Sequence, residues 1–589
     1  MIFSSFIESI TKKRSFPFFS HLEKIVRSAS LTERIIFYVF SAALALSAGH
    51  LLATVHASSL VEVPRQGGSL REGVVGSPRF INPILAATDA DRDLSVLVYA
   101  GLLKVAPDGS LIPELAQSYT SEDNGTSYIF TLRENITFHD GTPVTADDIV
   151  FTIEQIKNPT LKSPKWQNWT DVTIDKIDER QVKITPKTPY GPFLQNMTLG
   201  ILPKHLWKNI PVDQFPFAPG NIEPIGAGPY RVTSVERGKT GVPTAYSFSP
   251  FQNYALGAPY IKTLTVRFYQ NEELLMGAYN DGVIESMSSI APQTAAALLA
   301  KTRIEHTPLL RVFGLFFNHN QASVLLNKEV RTALSLSVDR EKIIADVLKS
   351  YGSPNARPVP PGLLPQDSTQ TNATSTDARR EEASLILKKA GWTFSTSTNT
   401  LEKKTKNSPT QSLSLSIATA NAPELKAVAD IIAANWSALG VSVAISVFEP
   451  GDLHQNVIRP RKYDVLLFGE IIGRDLDLYP FWHSSQRNDP GYNIAQYTNV
   501  TVDKLLEEAR PLADNEERIK KYLLVEKEIN KDIPAIFLYS PDFIYVIPEK
   551  INGFSIGNVS IPAERFASIT EWYIETDHIW KPLADRRKR

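Results

Sequence analysis

Between Glu470 and Trp482 the chain gathers Glu470, Arg474, Asp475 and Asp477, and then the aromatics Tyr479, Phe481 and Trp482. Carboxylates this close could do acid–base work if a nucleophile or metal stood beside them. The sequence offers neither. It has no HExxH pair and no G-x-S-x-G elbow, and its ten histidines are scattered. It has no cysteine, which excludes disulfides, thiolate metal sites, a cysteine nucleophile and a lipid-modified N-terminal cysteine. Gly238-Lys239-Thr240 resembles the end of a phosphate-binding loop, but Thr233 stands where the first glycine is required and no apolar strand leads in. The expectation is a protein that binds rather than catalyses, with no catalytic residues, no metal and no cofactor.

The 589 residues suffice for several domains, and a formal net charge of −1 argues against a nucleic-acid partner, which requires a basic face. Ile35 to Val55 (IIFYVFSAALALSAGHLLATV) is uncharged and close to the roughly 20 residues that span a bilayer. Lys12, Lys13, Arg14, Lys24, Arg27 and Arg34 precede it, so the bulk of the chain is expected outside the cytoplasm. Val55-His56-Ala57 resembles a signal-peptidase site. The apolar run nevertheless exceeds the roughly 7–15 residues of a secretory signal core, which favours an uncleaved anchor over a secreted or periplasmic form.

The elements that must position the charged cluster follow from local patterns. Tyr128–Arg133 reads as a strand, His139-Asp140-Gly141 as a turn, and Thr145 with Asp148 as the capped start of a helix bearing Ile149, Ile153 and Ile156. Leu413–Ile417 alternates as a strand. Leu425, Val428, Ile432 and Leu439 mark a helix face that Gly440 ends, and Val441–Val447 alternates again, so the two strands should pair in parallel. Tyr463–Phe468 reads as a strand buried on both faces. Residues 58–70 read as a linker, Asp367–Asp377 and Ser395–Gln411 as surface loops, and Arg586, Arg587, Lys588 and Arg589 as a solvated basic tail.

Several blocks, in order, resemble the extracellular solute-binding protein family 5, the peptide- and nickel-type receptors of ABC importers. They are Leu111–Thr152 with its HDGTP turn, Pro224–Tyr230 (PIGAGPY), Phe316–Arg340, Pro358–Gly362, Ala390-Gly391-Trp392 and Tyr463–Ser484. The resemblance implies an α/β fold of the two-lobed periplasmic-binding-protein type (type II, cluster C-like) with an extra inserted domain, here behind one N-terminal transmembrane helix. The expected limits are a basic leader over 1–34, the membrane segment over 35–55 and a linker over 56–66. Lobe I would take 61–99, 222–308 and 541–589, the inserted domain 100–221, and lobe II 309–540.

The same resemblance implies an extracytoplasmic, monomeric receptor that closes on an oligopeptide or peptide-like solute and presents it to ABC permease subunits. Variants of this reading take a metal chelate, an opine or an oligosaccharide, or use the fold as a ligand sensor. A scattered histidine set speaks against bare nickel. Peptide-binding relatives place an aspartate after the strand corresponding to Val465–Glu470, where this chain has Ile472. Either Glu470, Asp475 or Asp477 therefore meets a ligand ammonium, or the ligand has no free amine there. Arg474 could instead hold a carboxylate by a two-point contact. Tyr479 and Trp482 are expected as pocket walls, and Asn82, Tyr99 and Asn318 fall in segments that meet the cleft in relatives. Arg331 and Asp339 are expected to brace helices of the second lobe.

Overall fold

The computed structural model describes residues 25–122, 126–298, 302–365, 375–404, 409–512 and 515–581. Lys12, Lys13, Arg14 and Lys24, the tail Arg586 to Arg589 and the greater part of Asp367–Asp377 lie outside them. Contacts divide the chain into two units, residues 1–65 with 575–589, and residues 66–574.

The smaller unit carries the helix Leu31–Ser58. Its span Leu31–His56 is long and apolar enough, by length and composition, to cross a bilayer. Ile35, Phe40, Leu44, Leu46 and Leu52 on this helix are exposed. The expected linker is replaced by regular structure. Leu60–Arg65 is a strand paired antiparallel with Glu575–Trp580 from the far end of the chain, and Gly67 already opens the next strand. Pro64 does not break the ribbon, because in a two-stranded pair every residue has an outward side that needs no partner.

The larger unit is built on a twelve-stranded mixed sheet. Its order runs Ser442–Phe448, Ser414–Ala420, Val465–Ile471, Arg311–Phe317, Ala535–Val546, Ser286–Ser288, Gly67–Val75, Ile261–Tyr269, Pro243–Pro250 and Tyr230–Arg237, with Ile304–Pro308 and Gly352–Pro354 also on Ala535–Val546. The long strand Ala535–Val546 is shared between two halves. Ala535–Tyr539 pairs with Phe313–Phe316, whereas Asp542–Val546 pairs with Ile304–Pro308. The cores are correspondingly separate. Leu70, Leu94, Phe130 and Tyr545 belong to one. Leu315, Ile417, Ile432 and Leu538 belong to another, backed by Val312, Leu466 and Trp482 across the sheet. These are the two lobes of the fold.

Local signals account for most elements. Ser127–Leu132 is a strand with Tyr128, Phe130 and Leu132 buried, inside a four-stranded antiparallel sheet. Thr145 and Asp148 form a capping box on the helix Ala146–Lys157, whose Ile149, Ile153 and Ile156 are buried. Ser414–Ala420, the helix Pro423–Ser437 and Ser442–Phe448 make the parallel unit, with Gly440 turning at a φ of 87°. Arg331 donates to the carbonyls of Leu325 at 2.7 Å and Asp532 at 2.8 Å, and Asp339 caps its helix through Lys342 N at 3.0 Å.

The stretch Ser395–Gln411 departs from the expected loop. Thr393–Ser395 and Thr400–Lys403 are strands of a small three-stranded sheet, with Thr400 and Leu401 buried. Threonine is polar enough to read as loop yet β-branched enough to prefer a pleated surface. Gly238-Lys239-Thr240 is the turn of the hairpin joining Tyr230–Arg237 to Pro243–Pro250, with no helix behind it to face a phosphate.

At the centre of the first lobe a charged cluster is fully buried. Arg565 contacts Glu72 and Asp93, each at 2.6 Å, with all three side chains no more than 2% exposed. Tyr545 donates to Glu72 at 2.8 Å, and Ser286 reaches the same carboxylate at 3.4 Å. Burial pushes both carboxyls up, and the Arg565 charge opposes that rise. Removing one member of such a set leaves uncompensated charge in a low-dielectric interior. Arg565→Met should lower the unfolding free energy by about 3–5 kcal/mol in chemical denaturation. A loss under about 1 kcal/mol would mean the cluster is not the fastener the geometry describes.

Candidate functional site

The first lobe presents the helix Asp89–Val98 to the site. Thr88 and Asp91 form its capping box. Asp91 also accepts from Arg79 N at 2.6 Å and Phe80 N at 2.9 Å, which ties the approaching loop to the helix start. The other end is fixed by the glycine-rich crossover. Gly228 N donates to Val98 O at 2.7 Å, and a Cβ on Gly228 would sit 2.5 Å from the Val98 carbonyl carbon. His139 of the HDGTP turn locks the crossover in turn. Its backbone N donates to Gly226 O at 2.8 Å, its Nε2 lies 3.0 Å from Gly228 O, and its Nδ1 accepts from Gly226 N at 3.3 Å. Burial pushes this imidazole down to about 4, so it is neutral at physiological pH and pairs as Nε2 donor and Nδ1 acceptor. Two sequence blocks nearly ninety positions apart thus meet as one joint.

Two cavities flank the segment that contains Gln167 and Asn168. One, of about 250 Å³, is walled by Arg92, Ser95 and Tyr99 of the helix, by Lys104 and Glu114, by Lys165, Asn168 and Trp169, and by Glu564 and Phe566. The other, of about 420 Å³, is lined by Gln167 and by Tyr479, Pro480, Ser485, Asn488, Tyr492 and Arg510 of the second lobe.

The second lobe contributes the strand Val465–Ile471 and the loop that follows. Glu470 is 6% exposed, opposite Val312 on the neighbouring strand. It makes no side-chain hydrogen bond or ion pair among the described residues, and burial pushes its carboxyl well above the usual range. Arg474 is engaged by Glu564 at 2.8 Å and by the Asn558 carbonyl. Asp475 accepts from Tyr190 OH at 3.3 Å. Burial, then the neighbouring charge of Asp477, push Asp475 up to about 6. Asp477 lies 3.1 Å from Arg510 and accepts from Tyr479 N at 3.2 Å. The Arg510 guanidinium stands 4.6 Å over the Tyr479 ring and 5.1 Å over Tyr190. Gly191 N completes this seam by donating to Arg510 O at 3.0 Å.

The residues singled out in the sequence therefore fall into three groups. Tyr99 and Tyr479 each line a cavity. Arg474, Asp475 and Asp477 lie in contacts that join the loop to Glu564, Tyr190 and Arg510. Asn82, Asn318, Trp482 and Glu470 are packed inside. Asn82 donates to Asn221 at 3.1 Å, Asn318 donates to Arg461 O at 2.7 Å, and Trp482 is 0% exposed among Phe316, Tyr497 and Phe537. Sequence reasoning missed Arg92, Lys104, Lys165, Gln167 and Arg510. Each lies in a separate segment, with no motif to mark it.

Comparison with known proteins places the chain in a family and a fold. The profile of the bacterial extracellular solute-binding proteins, family 5 (middle region), matches residues 110–493. The oligopeptide-binding protein AppA of Bacillus subtilis (strain 168) is 25% identical over 521 residues, covering 87% of this chain and 92% of that protein. The probable D,D-dipeptide-binding periplasmic protein DdpA of Escherichia coli (strain K12) is 25% identical over 502 residues, covering 82% and 90%. Among solved structures, AppA from Bacillus subtilis in complex with a nonapeptide superimposes with a TM-score of 0.68 at 25% identity, covering 87% of this chain and 100% of that one. The ABC transporter substrate-binding protein CtaP of Listeria monocytogenes gives 0.72 at 27% identity, with the same coverage.

The raised Asp475 carboxyl has a definite sign. A folded-state pKa of about 6 against an ordinary 3.8 means the folded chain keeps this proton longer than the unfolded one. The resulting stability is present below about pH 4 and is lost as pH rises through about 6. Asp475→Asn, which cannot ionise, should flatten that loss and raise the unfolding free energy at pH 8 by up to about 3 kcal/mol. Denaturation curves from pH 4 to 8 with an unchanged slope in the variant would contradict the assignment.

Proposed function

Because the chain belongs to the bacterial extracellular solute-binding proteins of family 5, we propose that it is the extracytoplasmic receptor of an ABC importer and captures oligopeptides between its lobes. The observation that carries this reading is the seam around the loop after Val465–Ile471. Arg474 reaches Glu564, which lines the first cavity, and Asp475 meets Tyr190, so the second lobe is latched to the rest of the larger unit, and the second cavity lies between Gln167 and the second lobe's Tyr479 and Arg510. A solute held there touches both sides only in the closed form, so its binding energy selects closure, and closure is what a permease can recognise.

We take residues 309–540 as the second lobe, 100–221 as the inserted domain and the remainder of the larger unit as the first lobe. We place the hinge between the lobes at Pro308 and Pro541, which lie at the crossing and lack a backbone donor. Tyr99 and Tyr479 are the members of the sequence-derived set we place against ligand. Peptide capture suits such a cleft, because backbone groups of a peptide are the same whatever its side chains, and roomy cavities tolerate variety. The reading contains no catalytic step.

The receptor is held at the membrane by the helix Leu31–Ser58, with the bulk outside. Its apolar surface has no cover within the described residues. An alkaline carbonate wash should leave the protein in the membrane pellet. Release into the supernatant would mean that the segment is a cleaved leader.

Peptide capture is tested by thermal shift on the full-length protein in detergent, using peptides of increasing length. A ligand at 100 times its Kd adds about 2.7 kcal/mol of stability. No shift with any length, together with hydrolysis of one, would replace the receptor with an enzyme.

A further inference from the structure

The 250 Å³ cavity between the helix Asp89–Val98 and the segment around Lys165 is short of negative charge. Three cations border it, Arg92, Lys104 and Lys165. Its two carboxylates are already engaged. Glu114 accepts from Gly101 N at 2.8 Å and Tyr254 OH at 2.5 Å, and Glu564 takes Arg474 at 2.8 Å and Ser560 N at 2.8 Å. Arg92 is spanned on one side by Asp89 at 3.1 Å. The Lys165 ammonium has no hydrogen-bond acceptor and no ion pair among the described residues. Desolvation, followed by the charge of Arg92, pulls its proton affinity down. Lys104 stands 5.9 Å over the Tyr254 ring and feels the charges of Glu114 and Glu571.

A second, independent observation lies in the wall. Tyr99 is 4% exposed and Ser95 is 7% exposed, and the hydroxyl oxygens of both are buried without a hydrogen-bond partner. Buried hydroxyls are normally satisfied, because an unpaired one has lost its water without gaining a partner. Two of them four positions apart, beside the Lys165 ammonium, form a set of donors with no acceptor among the described residues. Trp169, Leu199 and Phe566 supply apolar walls below them.

Resting on the receptor reading above, we propose that this cavity receives a carboxylate of the bound solute, held by Lys165 and Arg92 at its mouth and by the hydroxyls of Tyr99 and Ser95 in its wall. A peptide offers that chemistry from two sources, an Asp or Glu side chain or its own C-terminus. Either would give the two hydroxyls an acceptor and the ammonium a counter-charge in a partly desolvated site, where such contacts are strongest.

The test uses full-length protein in detergent and isothermal titration with alanine pentapeptides. One series carries a single Glu at each position in turn, a second carries Gln instead, and the parent is supplied as free acid and as C-terminal amide. The wild-type protein should bind one Glu peptide at least tenfold more tightly than its Gln match if the side chain is read, or the free acid at least tenfold more tightly than the amide if the terminus is read. Lys165→Met should reduce that preference to under threefold while leaving the neutral peptides unchanged. Tyr99→Phe removes only a hydroxyl that has no partner in the free protein. It should leave the melting temperature unchanged and weaken the acidic ligand at least threefold more than its neutral match. Equal binding of acid and neutral peptides within twofold, or a preference that survives both substitutions, would overturn the assignment and leave the receptor standing. Failure of every peptide to bind would sink the receptor reading, and the assignment with it.

Discussion

Arg565 lies between Glu72 and Asp93 with no exposure to solvent, and the first lobe is organised around that contact. Its partners come from the strand Gly67–Val75, the helix Asp89–Val98 and, through Tyr545, the long strand Ala535–Val546. Residues from both ends of the larger unit therefore meet at one guanidinium. A planar fork with several donors suits this position, because it can satisfy two carboxylates at once, which a lysine ammonium does less well. Burying charge is costly, so the cluster holds only while every member is present. That requirement fixes the orientation of the helix bearing Arg92, Ser95 and Tyr99, and so the shape of the cavity beside it.

The second constraint is steric. Gly226 and Gly228 run directly against Val98 and Tyr99, close enough that no side chain fits, and the neutral His139 ring clamps them from the other side. The two blocks that carried the family resemblance most clearly, HDGTP and PIGAGPY, are thus halves of one packing joint. They lie behind the cavity and support its helix without themselves lining it.

The two lobes meet through groups of opposite character. One contact is the arginine–carboxylate pair Arg474–Glu564, and the other joins Tyr190 to Asp475, beside the second lobe's own pair Asp477–Arg510. Burial, and then repulsion from Asp477, is why Asp475 holds its proton to about 6. The latch is therefore weaker when both are ionised. A receptor must release what it captures, and a seam that is held by polar groups and partly opposed by like charge can reopen, as a purely apolar one would not.

Short-range patterns were enough to read much of this protein from its residues. The capped helix after Thr145, the parallel unit around Gly440, the apolar N-terminal run and the order of the family blocks all depend on neighbours within about a dozen positions, where periodicity and capping act. The ribbon of Leu60–Arg65 was not legible, because its partner is Glu575–Trp580 at the other end of the chain. The roles of the charged residues were equally hidden. Nothing near Arg474 in sequence announces Glu564, and nothing near Lys165 announces Tyr99. Whether a carboxylate, an ammonium or a hydroxyl is free to meet a ligand depends on which distant groups already satisfy it, and only the folded chain decides that.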